Sequence, residues 1–244
     1  MKLSTIIPAH NEEDSIAKTV RELYKTLIEE RIDHEILVVN DNSSDRTVEI
    51  LPELETEIPT LRHINNSPPN VFGYAVRCGL DNFSGDCAAI VMADASDLPS
   101  DLVMFYRKMV EGNYDAVFGS RFIKGGEIVD YPGLKLVINR MANAFIQVLF
   151  GLKYNDVTNA FKLYKKETIN GLRPFLAPHF NLTVELPLKT IVRNYSYVWL
   201  PNAWINRKKG ESKLKIKEMG SRYLFIVFYC LIEKYLTKGD YRKS

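Results

Sequence analysis

The sequence predicts an α/β fold with a mainly parallel, twisted, Rossmann-like sheet flanked by helices. Short apolar runs with the length of buried strands alternate with stretches that have helical spacing. Hydrophobic residues make up 46% of the 244 residues, which is enough to build a sizeable core. We predict one large domain over residues 1–214 and a basic, amphipathic helical tail over residues 215–244.

Three strand and helix pairs open the chain. Leu3 to Pro8 reads as a strand, and the helix that follows it carries apolar residues at helical spacing: Ile16, Val20, Leu23, Tyr24 and Leu27. Glu35 to Val39 is the second strand, and it ends in a polar turn over residues 40–47 with several candidate helix caps. A third strand, from Leu61 to Ile64, precedes a proline-containing loop and a helix from about Gly73 to Asn82.

The central strand ends at a carboxylate. The apolar run from Ala88 to Met92 is followed by Asp94 and, three residues later, by Asp97. Ligands of open α/β sheets bind outside the carboxyl ends of the strands, where carboxylates suit a hard cation such as Mg²⁺. Alternatively, Asp97 or Ser100 only caps the helix predicted from Asp101 to Val110.

The second half continues the alternation. We predict a strand from Tyr114 to Phe122, a helix from Leu134 to Leu149 and a helix that begins near Pro178. Tyr197 to Pro201 reads as an edge strand that ends at its proline, and Tyr223 to Leu236 as an amphipathic, aromatic helix.

Composition excludes several classes of protein. The net charge of +2 gives no electrostatic argument for a nucleic-acid partner. The three cysteines lack metal-ligand spacing, so we expect reduced thiols and a cytoplasmic protein. The first residues do not resemble a signal peptide, and no apolar stretch reaches the roughly 18 residues that span a bilayer. The glycine-rich dinucleotide fingerprint and the P-loop pattern are absent.

Two segments carry a resemblance to a known family. They are residues 6–13 (Ile-Ile-Pro-Ala-His-Asn-Glu-Glu) and residues 38–47 (Val-Val-Asn-Asp-Asn-Ser-Ser-Asp-Arg-Thr). They resemble the opening motifs of the family 2 inverting glycosyltransferases, and most of all the branch of dolichol-phosphate mannose synthase and related polyprenyl-phosphate sugar transferases. The resemblance runs from Leu3 to about Leu214 and implies a single nucleotide-diphospho-sugar transferase domain.

The resemblance implies a donor site built from strand ends. Asp41 and the segment from Pro8 to Glu12, which includes His10, would hold the nucleoside. Asp94 would be the main ligand of a Mg²⁺ or Mn²⁺ ion, because it matches the second aspartate of the family's Asp-x-Asp motif. Met92 stands where the first aspartate is expected, and Ser96 matches a further polar ligand position. When the resemblance is set aside, the residues themselves offer Asp94 and Asp97 as the pair of carboxylates for the metal.

The resemblance also implies an acceptor site. Arg121 follows Gly119 and Ser120 at a strand end, and it would face the sugar and phosphate groups, unless it forms a structural ion pair. Arg140 and Lys162 would bind the acceptor phosphate, although Arg140 also suits a solvated helix face. Asp156 either acts as a base for a hydroxyl acceptor or organises its loop. A phosphate acceptor is already ionised at neutral pH and needs no base.

The basic C-terminal region suggests two more roles. Residues 207–213 match the family's Arg-x-x-Gly-x-Ser-Lys element, so Arg207 and Lys213 would clamp the donor diphosphate, the alternative being a solvated loop. The aromatic helix and its flanking lysines and arginines, within residues 213–243, suit an anionic membrane interface at the inner face of the membrane. Packing against the domain or a homodimer partner would explain the same pattern.

Together these features predict an enzyme. It would move a hexose from a UDP- or GDP-linked sugar to a lipid phosphate or a cell-envelope glycan, with inversion and with a divalent metal. A nucleotidyltransferase would use similar metal chemistry on phosphate, and the replacement of one motif carboxylate by Met92 also leaves room for a non-catalytic nucleotide-sugar binding module.

Overall fold

The computed structural model describes residues 1–206 and 216–243 of the chain. Nine strands lie in this part of the chain: β1 (Leu3–Ala9), β2 (His34–Asn40), β3 (Leu61–Asn65), β4 (Cys87–Ile90), β5 (Ala116–Ser120), β6 (Glu127–Val129), β7 (Lys162–Lys165), β8 (Tyr197–Pro201) and β9 (Ala203–Ile205). The helices are α1 (Ile16–Glu29), α2 (Thr47–Glu57), α3 (Phe72–Asn82), α4 (Pro99–Gly112), α5 (Gly133–Phe150), α6 (Lys166–Gly171), α7 (Leu182–Val192) and α8 (Ile216–Leu236).

Seven strands form one sheet in the order β3-β2-β1-β4-β7-β5-β8. All neighbours are parallel except β7, which runs antiparallel to both β4 and β5. The mainly parallel sheet predicted from the sequence is therefore confirmed, with β8 at one edge as expected. The short strands β6 and β9 pair with each other in parallel, outside the main sheet.

Helices cover both faces of this sheet. Along β1, Ile6 belongs to one apolar layer and Ile7 to the other, because successive side chains of a strand point to opposite faces. β1 and β2 are buried along their whole length, as strands covered on both faces should be. The inner side of α8 adds Ile226, Val227 and Cys230 to the first layer.

The strand register brings the predicted polar segments to one edge. Ala9 at the end of β1 pairs with Asn40 at the end of β2, and Asn40 pairs with Asn65 of β3. Ile90, the last residue of β4, pairs with Ile6 of β1. The residues that follow these strands therefore meet at the carboxyl edge of the parallel part of the sheet.

Several boundaries differ from the sequence prediction, and two of them lie beside Asp94 and Asp97. β4 ends at Ile90 rather than at Met92, because the Met92 N–H donates to the Asp97 carboxylate (3.0 Å) instead of to a neighbouring strand. α4 begins at Pro99, which suits a first helical position because proline has no N–H to satisfy. The Asp97 carboxylate therefore accepts a hydrogen bond from the end of the strand region and does not cap α4. The N-cap residue of α4 is Leu98.

α8 is fixed to the rest of the chain by polar contacts. Arg193, at the end of α7, makes a buried two-point ion pair with Glu233 (2.6 and 2.9 Å). Lys234 donates to the carbonyl oxygen of Phe150 at the end of α5 (2.8 Å). Across the described ranges, 1–206 and 216–243, no helix has the length and apolar character needed to cross a membrane.

Candidate active site

A cavity of about 690 Å³ opens at the carboxyl edge of the sheet. Its polar end contains five of the predicted site residues: Pro8, Glu12, Asp94, Asp97 and Arg121. Its other walls come mainly from α5 and α8, which contribute apolar side chains: Ile138, Met141, Ala142, Phe145, Ile146, Leu224 and Val227. The same cavity is therefore lined by charged residues and by apolar ones.

The turn after β4 shapes the charged region. Asp94 accepts a hydrogen bond from the Ser96 N–H (3.2 Å), and Ala95 between them has a φ of 56°, in the left-handed region. Asp97 is only 8% exposed, and burial raises the pKa of its carboxyl to about 7, with the hydrogen bond from Met92 opposing the shift and the charge of Asp94 adding to it. Asp97 therefore carries less negative charge near neutral pH than an ordinary aspartate.

The turn offers a small set of oxygen ligands for a divalent cation. The Ser96 hydroxyl oxygen is buried without a hydrogen-bond partner, and Ser96 lines the cavity beside Asp94. A Mg²⁺ or Mn²⁺ site that relies on one or two protein oxygens plus the phosphates of a substrate fits this set. Within residues 1–206 and 216–243, no group of three or more histidine, cysteine, aspartate and glutamate side chains is arranged to hold a metal. Asp97 is the weaker candidate ligand, since one of its oxygens already binds the Met92 N–H.

Arg121 is neutralised by Asp156. The guanidinium donates through Nε (2.8 Å) and Nη2 (2.7 Å) to the two carboxylate oxygens, and the Arg121 N–H donates to the same group (2.9 Å). Burial disfavours the charge of Arg121, but the charge and hydrogen bonds of Asp156 outweigh it and raise the pKa of the guanidinium above its usual value. The ion pair considered for Arg121 is therefore present, and Arg121 also lines the cavity.

Two residues predicted for the acceptor site, Asp156 and Lys162, lie outside the cavity wall. Asp156 is fully buried and holds Arg121 with both oxygens, so its carboxylate organises the loop and has no open face for an acceptor hydroxyl. Lys162 is 1% exposed, and its ammonium donates to the carbonyl oxygens of Val157 (3.0 Å) and Thr183 (3.4 Å). Burial lowers the pKa of Lys162 to about 7, although the charge of Asp156 opposes the shift. Neither side chain lines the cavity.

Arg140 lies on the exposed side of α5. Its guanidinium stacks over the ring of Phe122 at 4.3 Å, and Arg121 lies over the same ring at 5.2 Å. Arg140 is not among the residues that line the cavity. Because Asp156 neutralises Arg121, Arg140 supplies most of the positive charge at this ring.

The predicted nucleoside residues form a polar cluster at the ends of β1 and β2. One oxygen of Asp41 accepts from the side-chain amides of Asn66 (2.8 Å) and Asn70 (3.2 Å). The His10 ring Nδ1 lies 2.8 Å from the carbonyl oxygen of Asp41. The sequence interpretation did not assign the two asparagines, although both lie in the loop that contains Pro68 and Pro69.

Two aromatic residues in the cavity wall were also not anticipated. Tyr131 and Trp204 both line it, and their rings meet edge to face at 4.7 Å. Their sequence separation and the absence of any local motif left no signal for this contact. Arg207 and Lys213, the predicted diphosphate clamp, lie outside the described residues, whereas Asn206 just before them lines the cavity.

The fold of this chain matches a solved structure. Over 96% of this chain and 78% of the other, it superposes on glucosyl-3-phosphoglycerate synthase from Mycobacterium tuberculosis, solved in complex with Mn²⁺, uridine diphosphate and phosphoglyceric acid, with a TM-score of 0.70 and 17% identity. Residues 4–172 match the family Glycosyl transferase family 2. The chain therefore belongs to glycosyl transferase family 2.

Sequence relatives have more specific names. A dolichol-phosphate mannosyltransferase of Pyrococcus furiosus is 29% identical over 222 residues, which cover 89% of this chain and 60% of the relative. An undecaprenyl-phosphate mannosyltransferase of Micrococcus luteus is 26% identical, with 88% of each chain covered. The chain thus spans less than two thirds of the Pyrococcus relative and most of the Micrococcus one. The predicted likeness to polyprenyl-phosphate sugar transferases is confirmed.

Proposed function

We propose that this protein transfers a hexosyl group from a nucleotide-diphosphate sugar to a polyprenyl phosphate, with inversion at the anomeric carbon. The observation that supports this most directly is the shared cavity, which joins Asp94 and Arg121 to an apolar wall from α5 and α8. An acceptor with a charged head and an apolar tail matches both regions of that cavity. Two of the relatives carry the name of a polyprenyl-phosphate mannosyltransferase, which favours the same class of acceptor.

On the donor side, each group has a distinct task. Asp41, supported by Asn66 and Asn70, would accept hydrogen bonds from the base or ribose. Asp94 and Ser96 would hold a Mg²⁺ or Mn²⁺ ion, which when bound neutralises charge on the leaving diphosphate. In our proposal Arg207 and Lys213 clamp the same diphosphate, a role inferred from sequence.

On the acceptor side, positioning would supply most of the catalysis. A phosphate monoester is ionised at neutral pH, so no side chain has to remove a proton from it. The Asp156 carboxylate is buried and already binds Arg121, which agrees with an acceptor that needs no base. Arg121 and Arg140, whose guanidinium groups both lie over the ring of Phe122, would draw the acceptor phosphate towards the sugar.

The outer faces of α5 and α8 would keep the protein near its lipid substrate. Both helices expose large apolar side chains that do not line the cavity: Leu134, Val137 and Val148 on α5, and Phe225, Ile232 and Leu236 on α8. An amphipathic surface with nearby lysines and arginines suits peripheral contact with an anionic leaflet, which we place at the inner face of the membrane. A second copy of the chain covering the same faces is the competing explanation, and sedimentation in detergent-free buffer distinguishes the two.

A two-stage experiment tests the proposal. Thermal unfolding is first measured with UDP-, GDP- and dTDP-sugars, with and without Mn²⁺, because a ligand that binds the native state raises Tm. The sugar nucleotide that binds is then supplied with undecaprenyl phosphate, or with glycerol phosphate, which has the phosphate but no lipid tail. We expect transfer to the lipid and release of a nucleoside diphosphate. Release of pyrophosphate would indicate a nucleotidyltransferase, and binding without transfer would indicate a binding module.

A variant pair isolates the apolar wall. Phe145→Asp places a charge among the cavity residues of α5, whereas Val110→Asp places one on the exposed surface of α4. We expect Phe145→Asp to lower transfer to the lipid at least tenfold while the Tm shift with the donor is kept, and Val110→Asp to change neither. Equal activities of the two variants would contradict the lipid-binding role of this wall.

A further inference from the structure

Trp204 is tied to the carboxylate turn through its main chain. In β9 it lies opposite Ile128 of β6, and on its other side it forms an antiparallel bridge with Asp97. The next residue, Ile205, donates its N–H to the Ser96 carbonyl oxygen (3.1 Å). The position of the indole is therefore coupled to the turn that carries Asp94.

The side chain of Trp204 faces the cavity and is not part of the hydrophobic core. Trp204 and Tyr131 are both partly exposed, and neither belongs to the two apolar layers that cover the sheet. The Tyr131 ring supports the indole edge to face at 4.7 Å, and the Arg121 guanidinium lies 6.0 Å from the Tyr131 ring. A large aromatic surface is thus held beside the charged groups of the cavity.

We propose that Trp204 is the surface on which the hexose of the donor stacks. A sugar ring carries C–H groups on its faces and hydroxyl groups around its edge. The negative face of an aromatic ring attracts C–H groups, and the carboxylates of the turn accept hydrogen bonds from hydroxyls. Trp204 and Asp94, both in the wall of one cavity, offer these two kinds of contact together. This inference rests on the proposed function.

The composition of the cavity wall favours the sugar over the lipid as the partner of Trp204. The apolar part of the wall, from α5 and α8, already suits a hydrocarbon chain, whereas Trp204 is bridged to Asp97 at the charged part. A hydrocarbon chain there would displace water from the Asp94 carboxylate without offering it a further hydrogen bond, which costs free energy. A polyol satisfies both the carboxylates and the ring.

Fluorescence gives a test that does not depend on turnover. The sequence has two tryptophans, so Trp199→Phe leaves Trp204 as the only one. This variant is titrated with GDP and GDP-mannose, and with UDP and UDP-glucose, after its Tm has shown that it folds. For the nucleotide that binds, we expect the sugar-linked form to change the Trp204 emission clearly more than the nucleoside diphosphate alone does.

Two substitutions separate stacking from general loss of structure. Trp204→Phe keeps an aromatic face, whereas Trp204→Leu keeps apolar character without one. We expect Trp204→Leu to weaken binding of the sugar nucleotide about tenfold, with the affinity for the nucleoside diphosphate unchanged, and Trp204→Phe to recover most of the loss. Phe225→Leu, on the exposed side of α8, is the control and should leave both affinities unchanged.

The outcomes distinguish this inference from the proposed function. If the nucleoside diphosphate and its sugar give the same emission change, and Trp204→Leu binds both as the wild type does, the stacking role is overturned while donor binding stands. If no nucleotide sugar or nucleoside diphosphate binds the wild type, the result contradicts the proposed function and, with it, the stacking role of Trp204.

Discussion

The Arg121 guanidinium and the Asp156 carboxylate form a buried, two-point ion pair, with N–O distances of 2.8 and 2.7 Å. Their side chains are 6% and 0% exposed. The hydroxyl oxygen of Tyr154 lies within hydrogen-bond distance of the carbonyl oxygens of Gly119 (2.8 Å) and Asp156 (2.6 Å), so this side chain also links the two segments that carry the pair. The charged end of the cavity rests on this contact.

Asp156→Ala should therefore destabilise the fold strongly. It leaves a buried guanidinium without its counter-charge, which typically costs about 3–5 kcal/mol. Urea unfolding followed by circular dichroism measures the loss. As the matched control, Glu29→Ala removes the exposed partner of Lys25 in α1 and should cause no measurable change. A wild-type midpoint for Asp156→Ala would show that Arg121 finds another partner.

Asp94→Ala tests the centre of the proposed donor site. The substitution removes the carboxylate at the end of the central strand, where the metal and diphosphate are proposed to bind. We expect transfer to fall at least a thousandfold and the Tm shift with Mn²⁺ and donor to disappear, while the circular dichroism spectrum and the Tm of the protein alone stay near wild type. Turnover at the wild-type rate would refute the assignment of the metal to Asp94.

Much of the site follows from rules that can be applied to the sequence. Strand lengths, polar strand ends and the alternation of strands with helices placed Glu12 and Asp94 near one edge, the resemblance added Arg121, and all three line one cavity. Parallel strands align their carboxyl ends, so local patterns are enough to predict such a meeting. The family motifs added Asp41, which lies at the end of β2 on the same edge.

Other features depend on contacts that no local pattern reveals. Arg121 and Asp156 are 35 residues apart in the sequence, and they meet because β7 lies antiparallel between β4 and β5. No local sequence pattern predicts that strand order. The sequence predicted Lys162 as a ligand of the acceptor phosphate. It is the first residue of β7, and its side chain is buried and does not line the cavity. Trp204 reaches the site through pairing with β6, which is a three-residue strand without a clear signal.

Met92→Asp should strengthen metal binding. Met92 lines the cavity at the end of the central strand, where a second carboxylate would add a charged oxygen ligand beside Asp94. We expect calorimetry to show tighter binding of Mn²⁺ in the absence of nucleotide, by roughly tenfold, because divalent affinity rises with the number of charged ligands. Val110→Asp adds the same charge on the surface of α4 and should leave Mn²⁺ affinity unchanged. If the two variants behave alike, Met92 is not next to the metal.

Asn159→Ser should disturb the loop below the cavity. The Asn159 side-chain amide donates to the Gly119 carbonyl oxygen (3.1 Å) and to the Asn202 side-chain oxygen (3.0 Å), and both asparagines are almost fully buried. Serine is too short to make both contacts, and a buried acceptor left without a donor costs about 1–3 kcal/mol.

A double-mutant cycle with Asn202→Ala attributes that loss to the pair. Because the two side chains are in contact, their effects should be non-additive by more than about 0.5 kcal/mol. Asn82→Ser, at an exposed site on α3, should change the free energy of unfolding by less than about 0.5 kcal/mol. Additive effects of Asn159→Ser and Asn202→Ala would contradict a direct energetic link.

Lys162 should make stability depend on pH above neutrality. Burial lowers its pKa to about 7 in the native state, whereas the unfolded chain has the ordinary value near 10.4. Between these values the unfolded state binds more protons than the native state, so this residue makes the free energy of unfolding rise with pH. The slope approaches ~1.4 kcal/mol per pH unit for one proton.

The measurement compares urea unfolding of the wild type and Lys162→Met at pH 7.5, 8.5 and 9.5. Burial raises the thiol pKa of Cys87 and Cys230, which makes stability fall with pH, but this contribution is the same in both proteins and cancels in their difference. The free energy of unfolding of the wild type minus that of the variant should therefore increase across the series. Lys18→Met, on the exposed surface of α1, is the matched control and should give a constant difference. A constant difference for Lys162→Met as well would mean that the buried amine keeps its ordinary pKa.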